Sequence, residues 1–143
     1  MEEYSKKPEI RWADLDPNFH VLHSKYYDFG AYCRMAFVTE HGITPALMIE
    51  KNIGLIIFRE ECLFKREIKF GDALRVNLKL SKCTPDAGRW SMIHELWING
   101  DILAAVITID GAWMDTKIRK LTIPPGEFKK EFDAIPKTEN FNQ

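Results

Sequence analysis

Residues 24 to 40 constrain the fold more than any other segment. Tyr26, Tyr27, Phe29, Gly30, Ala31, Tyr32, Cys33, Met35, Ala36, Phe37 and Val38 leave mainly Lys25, Asp28, Arg34 and Glu40 as polar positions. Wound at 3.6 residues per turn, so few charges leave the helix without a continuous wet stripe, and the run predicts a helix buried nearly all round. Ser24 fits its N-cap, Asp28 complements the dipole near its start, and Gly42 fits a left-handed stop at its end. Thr44-Pro45 then opens a short second helix through Ile49. A helix lying on a flat sheet needs a polar outer face. A curved sheet wrapped around it, with a second chain or layer over what remains, satisfies the pattern.

Beyond Asn52 the period changes to two. Cys62, Phe64, Ile68 and Phe70 alternate with charged residues, as do Leu74, Val76, Leu78 and Leu80, which predicts two strands joined by a tight turn at Gly71-Asp72. Thr84 to Gly88 makes the next turn, Trp90 to Ile98 a strand, Asn99-Gly100 a two-residue hairpin loop, and Leu103 to Met114 a last long strand. A short strand is expected near residues 9 to 13, a peripheral helix over Glu127 to Phe132, and fraying after that. The fold class is therefore α+β. With 143 residues, 45% of them hydrophobic, the chain fills one core and is read as a single domain over residues 1–143, its core at about 9–120 and its C-terminal tail peripheral.

A net charge of -1 argues against a nucleic-acid binder. Cys33, Cys62 and Cys83 have no metal-ligand spacing, and their odd number suits reduced thiols in the cytoplasm better than a disulfide framework. Neither a leader nor a long uncharged apolar run is seen, so neither secretion nor a membrane span is expected.

The chemistry concentrates just before the helix, where Asp14, Asp16, His20 and His23 fall in one loop. Asp16-Pro17-Asn18 reads as a turn, and the orphan N–H groups of the helix start, from about His23 to Tyr26, suit a carbonyl that becomes an oxyanion. Asp14 is read as a structural acceptor, His94 as a satisfied core histidine and His41 as a helix C-terminal residue favoured by the dipole. The four dispersed histidines make no metal site.

Loop and helix together resemble the hotdog-fold thioesterases, specifically the 4-hydroxybenzoyl-CoA thioesterase-like group. The resemblance rests on Asp16-Pro17, on Tyr26 ten positions after the Asp, on Arg34 further along the helix, on Phe19-His20-Val21 where members carry Gly-His-Val, on His23, and on Phe70-Gly71-Asp72 where members carry Pro-Gly-Asp. It covers most of residues 9 to 120 and implies a curved antiparallel β-sheet wrapped around a central α-helix. It also implies hydrolysis of an acyl-CoA thioester to free acid and CoA, with no cofactor beyond the CoA of the substrate, and a homodimer or homotetramer with sites between subunits. By resemblance Asp16 is the nucleophile or general base, with His23 and Tyr26 completing the catalytic set. Phe19, His20, Ser24, Arg59, Lys65 and Arg66 are assigned to substrate binding, the cations meeting CoA phosphates. Phe19 departs from the family glycine, and with its Cβ it is expected to force a different loop shape. That departure favours a non-catalytic acyl-binding module as one alternative; an acyl-carrier-protein thioesterase is another.

Overall fold

The computed structural model describes residues 2–142. In chain order the elements are β1 (Tyr4–Lys6), a 3-10 turn (Trp12–Asp14), α1 (Lys25–Glu40), α2 (Pro45–Glu50), β2 (Ile53–Phe64), β3 (Leu74–Cys83), β4 (Arg89–Ile98), β5 (Ile102–Asp115), β6 (Lys120–Thr122), α3 (Gly126–Asp133) and β7 (Lys137–Asn142). The strands form one curved sheet in the order β1-β3-β4-β5-β2, with β6 on β5 and β7 on β3. Every pairing is antiparallel except β3 with β7. No helix among the described residues is long and apolar enough to cross a membrane.

The sheet wraps α1, which buries Tyr26, Phe29, Gly30, Cys33, Phe37 and Val38 against Val76, Leu78, Met92, Leu96 and Ile107. Helix and sheet approach closely at Gly30: a Cβ there would meet His94 Cδ2 at 2.9 Å. Gly42 ends the helix at φ +87, and Asn99 and Gly100 both take positive φ in the β4–β5 hairpin, as a type I′ turn requires. Thr44 caps α2 by accepting from the Leu47 N–H at 3.1 Å.

Several expectations are corrected. The helix is not buried all round: Tyr32 and Met35 lie on a face that the single chain leaves open. Ser24 precedes α1, but its backbone is already helical (φ -67, ψ -23) and its hydroxyl makes no cap bond, because the turn at Leu22–Lys25 leads straight into the helix. No strand forms at residues 9 to 13; the ladder begins earlier, at Tyr4–Lys6, and the 3-10 turn that follows is held by Asp14. Strands β2 and β3 are not a hairpin. β2 ends at Phe64 and pairs with β5, while residues 65 to 73 run as a strap across the start of α1 to reach β3 on the far side of the sheet. The apolar alternation continues through that strap because Ile68 is fully buried beneath it. Finally, the C-terminal segment is not peripheral. Phe128, Phe132 and Ile135 are buried against Trp90 and Trp113, and the chain returns to pair with β3.

Candidate active site

Two backbone loops meet at the start of α1. The Val21 N–H donates to the Ile68 carbonyl (2.7 Å), the Phe70 N–H to the Phe19 carbonyl (3.2 Å), and His20 and Lys69 form an isolated bridge. The strap is therefore stitched to the loop that carries Asp16. Tyr26, one turn into the helix, adds a third fastening: its hydroxyl accepts from the Ile68 N–H at 3.3 Å.

Between these loops lies a cleft of about 340 Å³ lined by Asp16, His20, Val21, His23, Tyr26, Phe64, Lys65, Arg66 and Glu67. Asp16 is held by its own turn. Its Oδ1 accepts from the N–H groups of Asn18 (2.8 Å) and His20 (3.1 Å), and its N–H donates to the His20 carbonyl (2.8 Å). Its Oδ2 accepts nothing from the described residues. At the helix start, the Lys25 and Tyr26 N–H groups turn back onto the Leu22 carbonyl (2.9 Å) and, more weakly, the His23 carbonyl (3.4 Å). The expected row of donors thus narrows to the N–H groups of His23 and Ser24, which have no protein acceptor among the described residues. The His23 side chain is exposed and unpartnered there, while His20 Nε2 stands 3.4 Å from Glu67 Oε2.

Of the nine residues expected at the site, six share this cleft: Asp16, His20, His23, Tyr26, Lys65 and Arg66. Ser24 does not line it; it precedes α1 with a helical backbone and no cap bond from its hydroxyl. Arg59 is elsewhere, midway along β2, engaged by Glu61 (2.7 Å) and Asp110 (3.6 Å). A bulge between Ile57 and Arg59 resets the strand's alternation there, which a period-two reading does not see. Phe19 lies outside the cleft, its ring edge-on to Trp12. Phe19 itself takes φ +63, a left-handed conformation that favours glycine, so its Cβ does not keep the backbone out of that region.

Asp14 is buried and accepts from the Arg11 N–H (2.9 Å) and guanidinium (3.0 Å), as a structural carboxylate would. Burial opposes its ionisation, but these bonds hold its carboxyl below the ordinary range. Glu67 and Phe64 were missed by the sequence reading because a charged strap and an exposed strand end carry no periodic signal. Also missed was the polar network behind the helix. His94 is fully buried, with Nδ1 2.7 Å from the Asn77 carbonyl and Nε2 3.0 Å from Arg34 Nη1, so Nδ1 carries the proton and Nε2 accepts from the guanidinium. Burial, with Arg34 beside it, pushes the imidazole down to about 3. Glu60 Oε2 stands 3.8 Å from the same guanidinium; desolvation outweighs that attraction and raises its carboxyl. His41 closes α1 and bonds Glu131 of α3 at 2.8 Å. No cluster of three or more His, Cys, Asp or Glu among the described residues has metal-holding geometry.

A curved antiparallel sheet wrapped around one helix is the hotdog fold. Residues 10–132 match the thioesterase-like superfamily, and the chain belongs to it. No curated protein matches the sequence. Among solved structures, the chain is similar to 1,4-dihydroxy-2-naphthoyl-CoA thioesterase from Synechocystis, at 16% identity and TM-score 0.81, covering 92% of this chain and 96% of that one. It is also similar to a Staphylococcus aureus hypothetical protein in complex with CoA, at 16% identity and TM-score 0.86 over 93% and 83%. A third is a Thermus thermophilus thioesterase complexed with coenzyme A and Zn, at 21% identity and TM-score 0.75 over 91% of each chain. These likenesses carry the fold.

Proposed function

We propose that the protein hydrolyses an acyl-CoA thioester to a free carboxylic acid and CoA, with Asp16 as its nucleophile or general base. The observation that carries this reading is the Asp16 carboxylate, held at Oδ1 by two backbone N–H groups and open at Oδ2, in the cleft beside the unpaired N–H groups of His23 and Ser24. A thioester whose carbonyl oxygen accepts from those N–H groups has its developing negative charge met by preorganised donors at the positive end of a helix. As nucleophile, Asp16 Oδ2 bonds to the acyl carbon, the C–S bond breaks, and water then hydrolyses the mixed anhydride. As base, Oδ2 takes a proton from the water that attacks the same carbon. Either way the thiolate of CoA leaves and takes up a proton, for which the unpartnered His23 imidazole is suited. Lys65 and Arg66, at the cleft wall, are the phosphate contacts of this reading, and Tyr26 supports the wall through its bond to Ile68. CoA complexes among proteins of this fold, and membership of the thioesterase-like superfamily, support the substrate class.

The active form in this reading is a homodimer built on β2, an edge strand whose Ile57, Phe58, Leu63 and Phe64 are all about half exposed. A panel of acyl-CoA thioesters, with released thiol measured, tests the proposal. Turnover of at least one is expected, with Asp16→Ala inactive on it. Hydrolysis of carrier-protein thioesters alone would move the reading to that carrier, and inertness towards both would reject it.

A further inference from the structure

Beside the cleft, three large aromatic side chains lie exposed and in mutual contact. Trp12 is 68% exposed, stacked on Phe70 (centroids 5.3 Å apart, planes at 28°) and edge-on to Phe19 (5.7 Å, 75°). Single exposed apolar residues are ordinary; a contiguous aromatic cluster on two adjoining loops is not. Phe19 sharpens the point. It holds a left-handed backbone that costs a residue with a Cβ about 1 kcal/mol, while its ring stays 54% exposed and recovers little by burial.

The strap beside the cluster carries three cations. Lys65, Arg66 and Lys69, on the strap that ends in Phe70, form no ion pair among the described residues. Of the acids close by, Asp14 pairs with Arg11, Asp72 accepts from the Lys69 N–H and the Asn99 amide, Glu67 stands 3.4 Å from His20, and Asp16 keeps its Oδ2 open. The strap thus runs from two cations in the cleft, past a third, to a bare aromatic face.

We propose that Trp12 and Phe70, buttressed by Phe19, are a stacking platform for the purine of the substrate's CoA, with Lys69 meeting its phosphates. This rests on the acyl-CoA reading and extends it from the thioester end to the nucleotide end. A flat ring attached to several phosphates matches a bare indole face flanked by unpaired cations, and base–aromatic stacking is strong enough to govern affinity.

Two measurements decide it. Calorimetric titration with adenosine 3′,5′-bisphosphate needs no turnover, so it stands even if the hydrolase reading fails. Saturable binding is expected, weakened about tenfold by Trp12→Ala and restored by Trp12→Phe. Kinetics should then split: Trp12→Ala raises KM for acyl-CoA about tenfold at unchanged kcat, and leaves the matching acyl-pantetheine untouched. Absence of bisphosphate binding in the wild type, or equal losses on the two substrates, would overturn the platform. So would Trp12-dependent sedimentation with anionic phospholipid vesicles in place of bisphosphate binding, which would make the cluster a membrane contact.

Discussion

Phe19 at φ +63 occupies a conformation in which a Cβ crowds the following carbonyl oxygen. Any residue but glycine pays that cost, so the loop geometry is fixed by its bonds to Asp16 and Phe70 rather than by local preference. Phe19→Gly is accordingly expected to be about 1 kcal/mol more stable than Phe19→Ala in urea unfolding, and an Ala variant as stable as the Gly variant would contradict the strain. His94 gives a prediction in pH. The folded imidazole titrates near 3 against an ordinary 6.5, so between those values the unfolded chain binds a proton that the folded chain refuses. This contribution is complete above pH 6.5 and is lost as the pH falls towards 3. The thermal midpoint should drop between pH 6.5 and 4.5 more steeply in the wild type than in His94→Gln, and equal slopes would show that His94 is not the group responsible. Residue-level roles were legible for Asp14 as a structural acceptor and for His94 as a satisfied core histidine, but the partners of His94, Asn77 and Arg34, are brought to it by the fold. Phe19 was not, because a sequence gives the strain of a positive φ but not the tertiary bonds that impose it.

Among the elements, α3 and the strap carry the largest departures from sequence periodicity. The segment Gly126–Asp133 reads as a surface helix with a charged face, yet Phe132 is fully buried between Trp90 and Trp113 and closes one end of the core. Phe132→Ala should cost about 3 kcal/mol of unfolding free energy. A loss below 1 kcal/mol would return α3 to the periphery. The hairpin at Asn99-Gly100 and the stop at Gly42 were readable because each is a local backbone requirement met by one or two residues. Strand partners are not local: β2 and β3 are consecutive and alternate in the same way, and only the length of the 65–73 strap and the buried Ile68 separate a crossover from a hairpin. Tyr26 lies at the join. Tyr26→Phe removes the acceptor of the Ile68 N–H, and a loss of about 1 kcal/mol is expected, with KM for acyl-CoA raised as the strap loosens. Unchanged stability and unchanged KM together would remove Tyr26 from the support of the site.

The whole molecule presents a sheet with an exposed apolar edge at β2 and a central helix whose Tyr32 and Met35 are exposed, the surfaces on which the proposed homodimer would be built. Sedimentation equilibrium should find a dimer or larger for the wild type and a monomer for Leu63→Arg; a wild-type monomer at micromolar concentration would refute assembly through β2. At this scale the sequence was informative about architecture, since a helix with so little polar surface demands a wrapping sheet, and less so about the site, since six of its nine expected residues converge while Arg59, Phe19 and the Ser24 hydroxyl are directed elsewhere. The proposed function rests on the Asp16 carboxylate in the loop before α1. The decisive measurement is kcat/KM of Asp16→Asn against the wild type on its best acyl-CoA thioester, with the variant's thermal midpoint recorded alongside. A loss of about a thousandfold in a variant that stays folded is predicted. A folded variant retaining more than a tenth of wild-type kcat/KM would contradict the account.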